Sequence, residues 1–451
     1  MRYIDLPNHL TLSNGRALNS IIDLAELLES ESSLTSEIFS LLCDQDLEIW
    51  LRRIGGEKIA DQVEEIRLAG KASDDAMVEL RKILGKGVSG DGNTLIKALQ
   101  DAQPGITLRI GAGVYNLSEP LLIQKSLVLE GQGKEQTRIV SACADSVLKL
   151  EGYCNWRISG IAFEHHGIDG ADVVVVKDGH LVMNYCLCKG GSADYRIGGN
   201  GLAFLDGAKG EISRCGFRDN AFGILISGQS NPILVDNLCQ DNKISGIIYS
   251  DISRGVARNN VCIGNKIDGI CVVNQGQPML EGNHCRGNQY GIAYYHSEGG
   301  KACDNECIGN DYGIYVDGQA QPALEGNRCR ENKIIGIKYR GSSGGIARNN
   351  ECSGNKGKGI SVGEQAQPLL EGNRCRENKG TGISYHDSSG GTARGNECSK
   401  NEIFGIYAGE QVLSVLVGNR CYNNKIINIY DHRHLPPAWA VSIRVKVPTA
   451  K

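Results

Sequence analysis

The 451-residue sequence predicts a mainly β protein, a single-stranded parallel β-helix solenoid of 22–23 residues per coil behind a small all-α domain. Three observations carry that reading. Cysteine recurs at 239, 262, 285, 307, 329, 352, 375, 398 and 421, always 22 or 23 residues apart. Around each Cys stands the phrase Asn-x-Cys-x-x-Asn, with Gly-Ile a few residues on, as in Asn237, Cys239, Asn242, Gly246 and Ile247. Proline at 232, 278, 322 and 368 adds a two-coil period of 44–46 residues. A fixed period of this size is the mark of stacked repeats.

In chain order, residues 1–85 carry helical spacing. Ser20 is placed to cap a helix bearing Leu24, Leu27 and Leu28, and Ile38, Leu41 and Leu42 mark a second. Leu47, Trp50, Leu51 and Ile54 form a third that Gly55-Gly56 ends. Ile59, Val63 and Ile66 follow, then Ser73, Asp74 and Asp75 open a last helix through Met77, Leu80 and Ile83. The expectation is a packed helical domain with Trp50 in its core. Residues 86–93 read as a Gly-rich linker and lack the Lys-Ser or Lys-Thr pair of a phosphate loop. Residues 94–102 read as an amphipathic helix, followed by strands at Ile106–Ile110, Gly113–Tyr115 and Leu127–Gly131.

That order of helix, Ile-rich strand, Gly-x-Tyr turn and strand ending in Gly-x-Gly resembles the entry to a right-handed parallel β-helix of the pectate-lyase-like superfamily. The resemblance implies that the short helix plugs the core's N-terminal end, where apolar groups and strand edges are otherwise bare. The β-helix is expected over 94–430, with a looser period up to Leu205 and an inserted loop at 190–201. Residues 431–451 are expected to close the far end.

Within the regular coils, equivalent side chains should stack at about 4.8 Å. The Cys and Ile columns then point inward, Asn pins the corners, and Tyr249, Tyr294, Tyr339 and Tyr385 fall on the Ile side as core residues. Outward positions alternate in sign: Glu306, Arg328, Glu351, Arg374, Glu397 and Arg420 in one ladder. A second ladder reads Arg258, Glu281, Cys303, Glu325, Arg348, Glu371 and Arg394. Alternation replaces repulsion by weak attraction.

Composition narrows the function. Net charge is −4, with no basic block of the kind that tracks nucleic acid. No apolar run reaches membrane-spanning length, and the N-terminus lacks a secretory pattern. A cytoplasmic protein follows, with its 17 Cys reduced and used as packing. No cofactor and no metal are expected, since Cys186-x-Cys188 is too close for a zinc knuckle.

The irregular coils hold one polar cluster around Glu164. Its candidate catalytic residues are His165, His166, Asp169, Asp172, Asp194 and Arg196, types suited to proton transfer. His165 and His166, adjacent in a strand, point to opposite faces and do not chelate one ion. Arg328, Glu351, Arg374 and Glu397 are the candidate partner-binding surface.

The repeat phrase also resembles carbohydrate-binding-and-sugar-hydrolase-type β-helix repeats. Those occur in polysaccharide epimerases and lyases, and in the substrate-recognition β-helices of certain F-box proteins. The layout of helical domain then β-helix is similar to the latter, although residues 1–85 carry no F-box motif. The resemblance implies a non-enzymatic cytosolic scaffold that binds a protein partner along the solenoid, with the helical domain as a second contact surface. The alternative is a carbohydrate-active enzyme of lyase, hydrolase or epimerase type, acting on a polysaccharide near residues 164–196.

Overall fold

The computed structural model describes residues 10–13, 16–30, 35–54, 56–167, 170–191, 199–296 and 299–434. Asp169, Asp194, Tyr195, Arg196 and the tail from 435 onward lie outside them. The chain is mainly β, a parallel solenoid of about 15 turns preceded by a region of six helices. It divides into two compact units, residues 1–216 and 217–451.

In the first unit, helices form at Ile21–Ser30, Thr35–Cys43, Asp46–Arg53, Glu57–Leu68 and Ser73–Leu84. Their apolar faces meet in one core that includes Leu24, Leu27, Ile38, Trp50, Val63 and Leu80. Ser20 caps as its sequence suggests: its Oγ accepts the Asp23 N–H at 3.2 Å, and Asp23 Oδ2 accepts the Ser20 N–H at 2.9 Å.

The expected linker at 86–93 is structured instead. Lys86–Val88 pairs in parallel with Leu108–Ile110, and Asp91 Oδ1 accepts the Thr94 N–H at 2.9 Å to start the helix Gly92–Asp101. Glycine is needed here for space: a Cβ on Gly92 would sit 1.9 Å from the Asn116 carbonyl oxygen. Arg109 ties the helices to the first coils. Its Nη2 donates to the Ile83 carbonyl at 2.8 Å, and its other nitrogens meet Leu84 O and the Glu130 carboxylate. A cation thus closes the C-terminal end of the last helix of the set.

The second unit repeats one coil. Asn231–Val235, Leu238–Gln240 and Ser245–Tyr249 give one strand to each of three faces, here called the first, second and third sheets. Each strand pairs in register with its equivalent one coil on, so Cys239 meets Cys262 and Ile247 meets Ile270. Two columns of buried Asn hold the corners on either side of the second sheet. In one, the backbone and side-chain N–H groups of Asn332 both donate to Asn355 Oδ1, at 3.0 and 2.9 Å, and its Nδ2 also reaches Cys307 O at 3.1 Å. The other column runs through Asn327, Asn350 and Asn373 in the same way. At these two corners the Asn backbone N–H is thereby satisfied from the next coil.

The two-coil period has an interior cause besides charge. The inward residue of the first sheet alternates Leu234, Ala257, Leu280, Ala302, Leu324, Ala347, while Tyr249, Tyr294, Tyr339 and Tyr385 lie fully buried in alternate coils. Large and small side chains thus take turns along each inward column. Outside, the expected rungs form, with Arg258 to Glu281 and Arg348 to Glu371 each at 2.8 Å. At the last described coil the Ile column surfaces, and Ile429 is 43% exposed.

Candidate functional site

Among the described residues of the solenoid, two buried carboxylates dominate the polar chemistry, one in each unit. In the first unit Glu164 lies on the strand Ala162–His165, 2% exposed. Arg138 binds it through two nitrogens at 2.8 and 2.9 Å, Lys189 lies at 3.2 Å and His166 Nε2 at 3.0 Å. Burial alone would raise its pKa, but Arg138, Lys189 and His166 bring it down to about 2.

Of the sequence candidates, His166 therefore joins Glu164 as a surface partner. His165 is buried, its Nε2 2.7 Å from Cys143 O. Asp172 Oδ1 accepts from the Gly199 and Asn200 backbones and from Asn200 Nδ2, at 2.7–2.8 Å, and so anchors the chain where it re-enters the coil. The described contacts do not bring His165, His166 and Asp172 to one point. Arg328, Glu351, Arg374 and Glu397, expected as a partner surface, are successive in register. Glu351, however, binds Arg376, at 2.8 Å, one position over.

The second carboxylate, Asp268, lies on the outer side of the third sheet in the second unit. It is 3% exposed and receives no ion pair among the described residues. The Ser245 hydroxyl donates to Oδ2 at 2.8 Å and the Tyr295 hydroxyl to Oδ1 at 3.4 Å. Desolvation pushes its pKa up to about 6, against the pull of Ser245, Cys271 and Tyr295. Burial likewise pushes the Tyr295 hydroxyl up, helped by the Asp268 charge beside it.

The parallel register assembles rings around this carboxyl. Asp268, Tyr290 and Tyr312 are successive partners in one row, as are Tyr295 and Asp317 in another. Tyr290 stacks on Tyr312 with centroids 5.3 Å apart, and Tyr315 lies 4.6 Å from Tyr290 and 5.8 Å from Tyr295. Tyr315 donates to Asp317 at 3.0 Å, and Arg340 reaches the Tyr315 oxygen at 3.5 Å. Four tyrosines, two carboxyls and a guanidinium thus share one patch. A flat aromatic surface next to directional oxygens suits a sugar ring, which has apolar faces and a hydroxyl rim.

The sequence reading passed over this patch. Its signal is the residue just before each Gly-Ile: Ser245, Asp268, Tyr290, Tyr312, Ile335, Lys358, Thr381, then Phe404. A column that should hold interchangeable coil residues instead concentrates acid, rings and base.

A cavity of about 990 Å³ lies elsewhere, in the first unit, between Lys58, Gln62 and Glu79 of the helices and Arg157, His180 and Glu211 of the first sheet. Arg109 and Glu130 in its wall are bonded to each other as described above. The Asp268 patch is the better chemical candidate because its acid is held at a pKa suited to proton transfer.

Comparison with known proteins supports the fold. A family described as "Right handed beta helix region" matches residues 274–426, so the hand expected from the resemblance holds. A second, described as "Periplasmic copper-binding protein (NosD)", matches residues 170–329. No curated protein matches the chain. Among solved structures, the chain is similar to the A-module of the Azotobacter vinelandii mannuronan C-5 epimerase AlgE6. Identity is 16% and TM-score 0.41, over 78% of this chain and 98% of that one. The periplasmic alginate epimerase AlgG gives 16% and 0.46, over 75% and 83%. The catalytic domain of a GH87 α-1,3-glucanase gives 11% and 0.45, over 77% and 66%.

These matches correct two expectations. The family described as periplasmic overturns the cytoplasmic assignment. The cytosolic scaffold gives way with it, because a cytosolic setting does not fit a family described as periplasmic. Among the described residues no three His, Cys, Asp or Glu side chains gather as a metal site. The stacked thiols from Cys239 to Cys398 are sealed in the core, where burial holds Cys329, and the neighbouring Cys239 thiol together with burial holds Cys262, well above the usual thiol range.

Proposed function

We propose that the protein is a carbohydrate-active β-helix enzyme that binds a polysaccharide on the outer face of the third sheet and moves a proton through Tyr295 and Asp268. The observation that carries this is the buried carboxyl at about 6 with a tyrosine hydroxyl donating to it beneath a ring platform. Tyr295 is the member of the pair that reaches the surface. Above pH 6 the Asp268 carboxylate accepts the Tyr295 proton as Tyr295 accepts one from the sugar, and the transfer reverses to donate. Asp268 positions and charges Tyr295, and Tyr295 touches the substrate. Tyr290 and Tyr312 hold the ring, while Arg340 and Asp317 fix Tyr315 at the platform edge. This proton chemistry serves the lyase and epimerase branches, which break a C–H bond, and in its donating direction a hydrolase.

The test is turnover of a polysaccharide panel, scored for new reducing ends, unsaturated products and changed sugar configuration. Tyr295→Phe and Asp268→Asn should each lower kcat by about 10²–10⁴-fold with the fold intact. Unchanged turnover in both variants sinks the assignment.

A further inference from the structure

Past the tyrosine platform the third sheet changes character. The row that begins Ala293, Tyr315 continues as Lys338, Ser361, Ser384, Tyr407 and Tyr430, each in register with the next. Tyr407, Tyr430 and Phe404 form a second ring platform, with Tyr407 and Tyr430 stacked at 5.7 Å and 2°. Four coil steps separate Tyr315 from Tyr407, roughly 19 Å at about 4.8 Å per coil.

The saddle between the platforms is basic. Lys338 and Lys358 lie half-buried on adjacent strands, and Lys358 Nζ contacts His386 Nε2. His386 in turn lies 5.4 Å from the Tyr407 ring. Lys338 stands 5.4 Å over the Tyr312 ring, joining the saddle to the first platform. Neither lysine has a carboxylate within ion-pair distance among the described residues. Three exposed lysines of this unit do, Lys301 with Glu325 at 2.9 Å, Lys333 with Asp311 at 3.0 Å and Lys379 with Glu402 at 2.7 Å, whereas Lys338 and Lys358 are half-buried without one. Burial and the Arg340 charge depress Lys338, burial and the Lys338 charge depress Lys358, and burial with Lys358 beside it brings His386 down to about 4. Arg340, Glu364, Asp317 and Asp387 are the remaining charges that face the group, and Arg340 is occupied by Glu364. A bound anion would supply the counter-charge that the fold leaves out.

We propose that the two platforms and the saddle form one track for an extended acidic glycan, with Lys338 and Lys358 binding an anionic substituent of the chain and Phe404, Tyr407 and Tyr430 holding a sugar several residues from the reacting one. The inference rests on the reading of the third sheet as the glycan face. The shared chemistry is a carboxylate or a sulfate ester on the sugar, and a matched set of probes separates the two sources.

Calorimetric titration of the full chain with uronate, sulfated and neutral oligosaccharides, each as dimer and hexamer, tests it. At least one acidic hexamer should bind more than tenfold tighter than its dimer and than the neutral hexamer. Lys338→Met with Lys358→Met should remove that preference, and Tyr407→Ala should remove the length dependence alone. Uronate preference assigns a carboxylate, and sulfate preference a sulfate ester. Neutral hexamers binding as tightly as acidic ones, with Tyr312→Ala abolishing both, would overturn the anion site and leave the platform standing. No glycan binding by any probe would overturn the track together with the reading beneath it. Unchanged melting of each variant secures the comparison.

Discussion

Glu164 and Asp268 are equally hidden from water, and their pKa values move in opposite directions, to about 2 and about 6. The difference lies in their company. Glu164 has a guanidinium, an ammonium and an imidazole within 3.2 Å, so its charge is matched wherever it turns. Asp268 has hydroxyls and a thiol, which stabilise a negative charge without neutralising it. A carboxylate buried among cations holds structure. One buried among neutral donors is left able to change protonation near neutral pH, which is the property an acid–base group needs.

The sharpest way to break this contrast is to neutralise each in turn. Glu164→Gln leaves Arg138 and Lys189 facing an uncharged amide and should cost about 3 kcal/mol in denaturant unfolding, with turnover per folded molecule unchanged. Asp268→Asn should do the reverse, raising stability at pH 7 by up to about 3 kcal/mol while activity collapses. Equal stability losses in the two variants would erase the distinction.

The pH dependence sharpens it. Asp268 rises from 3.8 to about 6 on folding, so the folded state holds its proton longer than the unfolded chain. Its contribution to stability is full below pH 3.8 and is lost as pH climbs through 6. Glu164 falls from 4.5 to about 2, so its contribution is present above 4.5 and is lost as pH drops through 2. Unfolding free energies of the wild type minus Asp268→Asn should therefore decline between pH 4 and 6, and those of the wild type minus Glu164→Gln should rise over pH 2 to 4.5. kcat/KM for proton abstraction should climb across pH 6 if the carboxylate form of Asp268 is the acceptor.

The repeat was legible because it is redundant. Nine Cys and ten Asn at one spacing report the same constraint many times, and each column occupies one place in every coil. The candidate site was hidden for the converse reason. Tyr290, Tyr295, Tyr312 and Tyr315 lie up to 25 residues apart in sequence and meet only because parallel register stacks one coil on the next. The cluster around Glu164 looked chemical because its residues adjoin along the chain, yet adjacency on a strand sends side chains to opposite faces. The stretch at 86–93 misled differently: its glycines are required by close backbone contact at Gly92, and composition alone does not separate that need from flexibility.

The Asn columns allow a test of intermediate size. Asn332 lies mid-array, gives three hydrogen bonds and takes two more on Oδ1 from Asn310, at 3.1 and 3.3 Å. Asn332→Ala strands the Asn310 donors in the core and should cost about 2–3 kcal/mol. Asn424→Ala, at the exposed end of the same column, should cost less than half as much. Equal losses would mean that the corner is held by backbone geometry and not by the ladder.

The smallest effect belongs to the outer charges. Arg374 stands between Glu351 and Glu397 in register, but Glu351 is already bound to Arg376 and Arg374 is exposed. Arg374→Ala should change stability by no more than about 0.5 kcal/mol, because an exposed rung gains little over water. Arg374→Glu is the more telling variant, since it lines up three carboxylates on neighbouring coils and should cost about 1 kcal/mol at low salt, fading as salt screens the row. If both variants shift the melting midpoint alike at every salt concentration, the ladder acts through side-chain packing and the alternation of sign is incidental.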